Sequence, residues 1–178
     1  MGTALDGLDG GFKTKLQQVL ATCAGKGVIM TPYFGVRTPQ EQGKLWRQSR
    51  TGAQIQAKLT ELHAAGANFL ADCIDKAGPQ NGPDVTGATP GLSWHQWGEA
   101  MDCFWRVNDK AEWSTTLGGA ANGYKIYAAV AQAAGLTAGG LWPSRKDWPH
   151  VQARSADSPL KVGMTILQVD ARMKATFG

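Results

Sequence analysis

Apolar positions recur at two different spacings along the chain, and the alternation between them outlines the fold before any chemistry is considered. Leu8, Phe12, Leu16, Val19, Leu20 and Cys23 fall at near-helical intervals, so residues 9–24 are expected to form an amphipathic helix closed by Gly25 and Gly27. Val28 to Arg37 is β-rich but interrupted by Pro32 and Gly35. Proline donates nothing to a ladder, so this stretch reads as an edge or irregular strand that delivers Arg37 to a loop. Thr38-Pro39-Gln40-Glu41 has the form of a helix start: Thr38 can cap the third amide, Glu41 can reach back to the cap amide, and Pro39 sits where no N–H is needed. That helix is expected to run to about Arg50. Ile55, Leu59, Leu62, Phe69, Leu70, Cys73 and Ile74 predict one longer helix ending before Gly78-Pro79.

Residues 78–92 are dense in glycine, proline and other turn formers and predict a loop, the kind of segment that often carries a site. Ala100 to Val107 alternates as a strand, residues 119–134 read as an Ala-rich helix, Trp148 to Val151 as a final strand, and Val162 to Met173 as a closing helix or strand. Helices grouped early, then strands bracketing one helix, predict an α+β fold with a small antiparallel sheet and flanking helices. There is no repeat, linker or low-complexity tract, and no G-x-G-x-x-G or Walker loop.

Composition narrows the choices. At 178 residues, 43% hydrophobic and 18% charged, residues 1–178 are expected to form one globular domain. No apolar run is long enough to span a bilayer. The stretch Met1 to Gly10 holds acids where a leader needs a basic region, so cytoplasmic synthesis without a signal peptide is expected. The net charge of +4 suits an anionic partner or mere solubility. The densest basic stretch, Lys44 to Arg50, fits a solvated helix face, and nucleic acid is not an expected partner. Cys23, Cys73 and Cys103 form no CxxC pair, so buried thiols are the expectation, with a Cys23–Cys73 bridge left open.

The chemistry gathers around two of the three histidines, in Ser93-Trp94-His95-Gln96-Trp97-Gly98-Glu99-Ala100-Met101-Asp102 and in Asp147-Trp148-Pro149-His150. A catalytic zinc site takes three ligands from His and Asp or Glu and leaves a position for water. His95, Asp102 and His150 supply such a set, with Gly98 allowing a bend between the first two. Asp147 stands where a carboxylate can move a proton without being a ligand. Each position also has a plainer reading: a strand-end Asp102, an Asp147 paired with Arg145 or Lys146, an Arg37 in a salt bridge. His63, on the Leu59/Leu62 helix, keeps the plainer one.

Ser-x-His-x-x-Gly-x-Ala-x-Asp followed by Asp-x-Pro-His resembles the VanY-type D-alanyl-D-alanine carboxypeptidase and L-alanyl-D-glutamate endopeptidase family of zinc peptidases, which includes phage endolysins. Gly35-Val36-Arg37-Thr38, then Gln42 and Leu45-Trp46, and the stretch from Val85-Thr86 to Gly91 are similar to further family elements. The likeness spans about residues 28–153, with residues 51–78 as a possible insertion. It implies a hedgehog/D-Ala-D-Ala-peptidase-like fold, Zn2+ on His95, Asp102 and His150, Asp147 as base, and Arg37 as substrate anchor and oxyanion stabiliser. Ser93, Trp94 and Gln42 are expected near substrate, with one of Trp94 and Trp97 lining a subsite and the other packing as core. The implied activity is hydrolysis of peptidoglycan stem peptides, foremost the L-Ala–D-Glu bond, by a monomeric endolysin that reaches the wall after release and inserts in no membrane. The alternatives are a D-Ala–D-Ala carboxypeptidase or dipeptidase, a zinc-bearing wall-binding domain without catalysis, and a serine hydrolase using Ser93 and His95, which the missing G-x-S-x-G elbow disfavours.

Overall fold

The structure, a computed structural model, describes residues 3–178. Met1 and Gly2, which begin both the expected leaderless N-terminus and the expected domain, lie outside the described residues. In chain order the elements are α1 (Gly10–Gly25), β1 (Ile29–Phe34), α2 (Pro39–Arg47), α3 (Gly52–Ala64), α4 (Asn68–Asp75), β2 (Ala100–Val107), β3 (Lys110–Glu112), α5 (Gly123–Ala133), β4 (Thr137–Ala138), β5 (His150–Gln152) and α6 (Ile166–Phe177). Helices flanking a small antiparallel sheet make this the expected α+β fold. The described residues group into two compact units: the chain up to Val36 together with Trp97–Ser155, and Arg37–Gln96 together with Ala156–Gly178.

The first unit holds the whole sheet. Its strands run in the order β1-β2-β5-β4, all neighbours antiparallel, with β3 also paired to β2. Pro32 lies on the edge strand β1, where its missing N–H leaves no central ladder broken, and the register shifts between Pro32 and Phe34. Successive side chains on a strand point to opposite faces. On β2 that rule sends Met101 and Cys103 into a core built with Leu16 and Val19 of α1, Tyr124 and Tyr127 of α5, and Val151 of β5. Each large apolar side chain buried this way contributes about 1.5–3 kcal/mol relative to exposure. Asp102 and Phe104 therefore belong to the other face of β2. Asp9 starts α1 by accepting the Phe12 amide at 2.9 Å, while its own N–H donates to the Gly98 carbonyl at 2.9 Å.

The second unit is helical. The Thr38–Glu41 capping box is present and starts α2, which ends at Arg47 rather than near Arg50 because Thr51 and Gln54 form a fresh capping box for α3. The single helix expected over Ile55 to Ile74 is two. Gly66, at φ +75°, takes the left-handed conformation that closes a helix, and α4 starts afresh at Asn68. The cap position of α4 is Ala67, which has no side-chain acceptor. Asp170 of α6 supplies one from 100 residues away, accepting the Leu70 N–H at 2.9 Å. Gly43 lets α2 meet the end of α4, since a Cβ there would stand 2.2 Å from the Cys73 carbonyl oxygen.

The turn-rich stretch 78–92 forms no helix or strand, as expected, but it is anchored. Gln48 Nε2 donates to the Pro83 carbonyl (2.7 Å), Arg50 Nη2 to the Thr86 carbonyl (3.0 Å), and Arg50 Nη1 pairs with Asp84 (3.2 Å). All three cysteines are free and buried, so the Cys23–Cys73 bridge is not formed. No described helix is long and apolar enough to cross a membrane.

Candidate metal centre

Asp102 and His150 are directly opposed in the β2–β5 ladder. Cross-strand partners share a face with Cβ atoms about 4.5–5.5 Å apart, so the register alone brings carboxylate and imidazole together. His150 Nδ1 lies 3.0 Å from Asp102 Oδ1, and both residues are buried. The other ring nitrogen, Nε2, lies 3.0 Å from Gln152 Oε1, two residues along the same strand and hence on the same face. Gln152 Nε2 donates to the Arg154 carbonyl at 2.7 Å, which turns the amide oxygen towards His150. An amide oxygen only accepts, so Nε2 carries a proton and Nδ1 is the nitrogen left for a metal.

Burial works against a charged His150. The hydrogen bond to Asp102, the Asp102 charge, the Asp147 charge and the Gln152 hydrogen bond outweigh it, and the imidazole is raised above its ordinary value. In the metal-free protein a proton on Nδ1 thus bonds the ring to Asp102. Asp102 and His150 are among the residues that would hold a divalent cation.

His95 stands in a 3-10 turn, Trp94–Trp97, that leads into β2 through Gly98. Gly98 has φ +69°, and a Cβ there would sit 2.7 Å from the Gly7 carbonyl oxygen, so the expected bend is real and needs glycine. His95, Asp102 and His150 each offer one ligand atom, and these atoms lie within 4.8 Å of one another with all three residues buried. Two imidazoles and a carboxylate suit zinc well, and a buried cluster of this kind has few other uses for its donors.

Asp147 lies in the turn before β5. Its carbonyl accepts the His150 N–H at 3.2 Å, and its own N–H donates to the Gly139 carbonyl at 3.1 Å. Its side chain is exposed, and its charge is felt at the His150 ring. Trp142 flanks that ring with centroids 5.3 Å apart.

Arg37 follows β1 by three residues and is half-buried; its N–H donates to the His95 carbonyl at 3.3 Å and its Nη1 to Gln42 Oε1 at 2.9 Å. Gln42 is fully buried. Its Oε1 also accepts from Gln96 Nε2 (3.0 Å), and its Nε2 donates to the Ala88 carbonyl (2.7 Å) and to Thr86 Oγ1 (3.3 Å). Both ends of the amide are engaged, and its Oε1 holds the Arg37 guanidinium. Gln96 in turn accepts the Gly91 N–H at 2.8 Å. Ser93 is half-buried in the same segment. Trp94 is buried and its indole N–H donates to the Ala156 carbonyl at 2.7 Å, while Trp97 is half-buried. Sequence reasoning passed over Gln96 and Gln152. The signals were available: one adjoins His95, and the other stands two residues after His150 on a strand.

A buried His–Asp–His group of this kind suits a metal-dependent hydrolase. The family model described as VanY, D-alanyl-D-alanine carboxypeptidase, matches residues 6–137, well over half of the chain, and the chain belongs to that peptidase family, which acts on peptidoglycan peptides. The matched stretch takes in Arg37, Gln42, Ser93, His95 and Asp102, and ends before Asp147 and His150. Family and donor set together indicate zinc as the cofactor. Two solved structures are similar to the chain. One is the Serratia marcescens L-Ala D-Glu endopeptidase ChiX, with 18% identity, 84% of this chain and 82% of that chain covered, and a TM-score of 0.45. The other is the vancomycin resistance D,D-pentapeptidase VanY of a VanB-type cassette, a mutant in complex with Zn(II), with 17% identity, 91% and 83% covered, and a TM-score of 0.46.

Proposed function

We propose that the chain is a zinc peptidase that hydrolyses the L-Ala–D-Glu bond of peptidoglycan stem peptides, with His95, Asp102 and His150 as the metal ligands. The observation that carries this reading is the buried Asp102–His150 cross-strand pair with His95 in reach of both. Zinc held there supplies a Lewis acid that polarises a scissile carbonyl and makes water easier to deprotonate. Asp147 takes the proton from the attacking water and delivers it to the leaving amine. Arg37, aimed by Gln42, anchors a substrate carboxylate or steadies the developing oxyanion with a fixed charge. Ser93 donates a hydrogen bond to the substrate backbone. The net charge of +4 favours approach to an anionic wall, as suits an endolysin acting after release from the cytoplasm.

The second reading is a D-Ala–D-Ala carboxypeptidase, favoured by the family description itself. Mass spectrometry of muropeptides digested with the zinc-loaded protein separates the two by the new termini. Cleavage between L-Ala and D-Glu that chelation abolishes and His150→Ala lacks is the expected result. Uncut peptidoglycan in the presence of zinc, or a His150→Ala protein as active as wild type, would falsify the proposal.

A further inference from the structure

Three aromatic side chains cluster on the sheet face that carries Asp102. Phe104 is two residues beyond Asp102 on β2 and so shares its face. Its β1 partner is Thr31, and Tyr33 stands at the register shift just beyond, between Pro32 and Phe34, where its ring lies beside Phe104. The β2–β3 register pairs Trp105 with Glu112, so continuing it one step sets Trp113 opposite Phe104. Ring contacts agree: Tyr33 meets Trp113 edge-on with centroids 5.6 Å apart, and Phe104 lies 6.1 Å from Tyr33 and 6.0 Å from Trp113. Tyr33 and Trp113 stay 43% and 54% exposed although each is among the largest side chains of the unit. Pairs of this geometry hold one another rigid, so the cluster is a preformed apolar platform instead of a loose patch.

We infer that Tyr33, Phe104 and Trp113 form the subsite for the sugar ring that carries the stem peptide, adjoining the metal centre along β2. The inference rests on the L-Ala–D-Glu reading above. Two residues of strand separate Phe104 from Asp102, about 7 Å. In the substrate, one L-Ala residue and the lactyl link separate the scissile carbonyl from the muramic ring, and a residue of chain reaches about 3.5 Å, so the ring begins about 7 Å away. The two spacings match. A D-Ala–D-Ala bond lies several residues from the sugar and offers no such match. The residues flanking the L-Ala–D-Glu bond have short or charged side chains that would cover little of three aromatic rings. A pyranose offers a broad face of C–H groups whose partial positive charge suits the negative face of an aromatic ring.

The test compares two substrates, a GlcNAc–MurNAc muropeptide and the same stem peptide without sugar, using the full zinc-loaded chain. Wild type is expected to cut the sugar-bearing form with kcat/KM about ten-fold above the free peptide, chiefly through KM. Trp113→Ala and Tyr33→Ala are expected to remove most of that preference and leave free-peptide hydrolysis and melting temperature unchanged. Equal use of both substrates by wild type overturns the inference, as does a Trp113→Ala effect of the same size on both. A wild-type dimer in sedimentation that Trp113→Ala dissolves, with preference intact, makes the platform a self-association surface and also overturns it. If wild type cuts neither substrate, the peptidase reading fails, and titration with GlcNAc–MurNAc decides the subsite alone. Shifted Tyr33 and Trp113 ring resonances uphold it, and unshifted ones sink it.

Discussion

Gly139 is the residue whose smallest possible change should most disturb the centre. It begins the 3-10 turn Gly139–Leu141, and its φ is not positive, so the backbone itself does not demand glycine. The demand is for space. A Cβ at 139 would stand 2.4 Å from the Asp147 carbonyl oxygen and 3.1 Å from both Asp147 Cβ and His150 Cβ. Ordinary contact starts at 3.4 Å, so Gly139→Ala must push the Asp147–His150 turn away by about 1 Å. That turn holds the proposed base and one proposed ligand, and the Gly139 carbonyl accepts the Asp147 N–H. Overpacking of this kind costs about 1–3 kcal/mol of stability. A misplacement near 1 Å costs about 100-fold in turnover, and disturbed support of a ligand weakens metal binding by about 10–100-fold. Urea denaturation, zinc competition with a chromophoric chelator and muropeptide turnover measure the three. Gly52→Ala, where a Cβ meets nothing within 4 Å, serves as the control. A Gly139→Ala protein with wild-type zinc affinity and turnover would refute the reasoning, because the predicted displacement would then be absent or without consequence.

Other perturbations test separate parts of the structure. Gln42→Ala removes the acceptor of Arg37 Nη1 and Gln96 Nε2 and the donor to Ala88, each lost partner costing about 1–3 kcal/mol. Its denaturation midpoint should fall well below that of Gln42→Glu, which keeps the acceptor, and equal midpoints would discredit the network. Asp170→Ala leaves the start of α4 without its remote cap and should lose about 1–2 kcal/mol in urea, whereas Asp170→Asn keeps most of it. His150 is raised in the folded, metal-free protein, so its charged pairing with Asp102 stabilises fully below the unfolded value of about 6.5 and is lost as pH rises through the raised folded value. The melting temperature of metal-free wild type relative to His150→Gln should therefore decline with rising pH across that window. With His150 as a ligand, as proposed, zinc would compete with its proton, so zinc affinity should weaken as pH falls through the same window. A pH-independent difference between the two proteins would contradict the assignment.

Much of the local structure was legible because its causes lie within a few residues of their effects. The Thr38–Glu41 box, the Ala100–Val107 strand and the bend at Gly98 each follow from residue types within a short stretch, and each is present. The break at Gly66 was missed because the apolar period of Ile55 to Ile74 runs on through it, while the backbone obeys the glycine. The candidate ligands were legible as residue types in a suggestive order.

What joined them was not legible. Asp102 and His150 are 48 residues apart, and only the β2–β5 register makes them partners. The same holds for the Asp170 cap on α4, the burial of Gln42 between Arg37 and Ala88, and the packing of Trp94 against Ala156. The Tyr33–Phe104–Trp113 platform needs three strands in register before it exists at all. Helix caps and strand alternation are decided by energies acting within one turn or one pleat, so the sequence alone determined the elements and the chemical types of the candidate site. Strand pairing and remote hydrogen bonds are decided by which surfaces bury one another, so only the tertiary structure determined which of those residues meet.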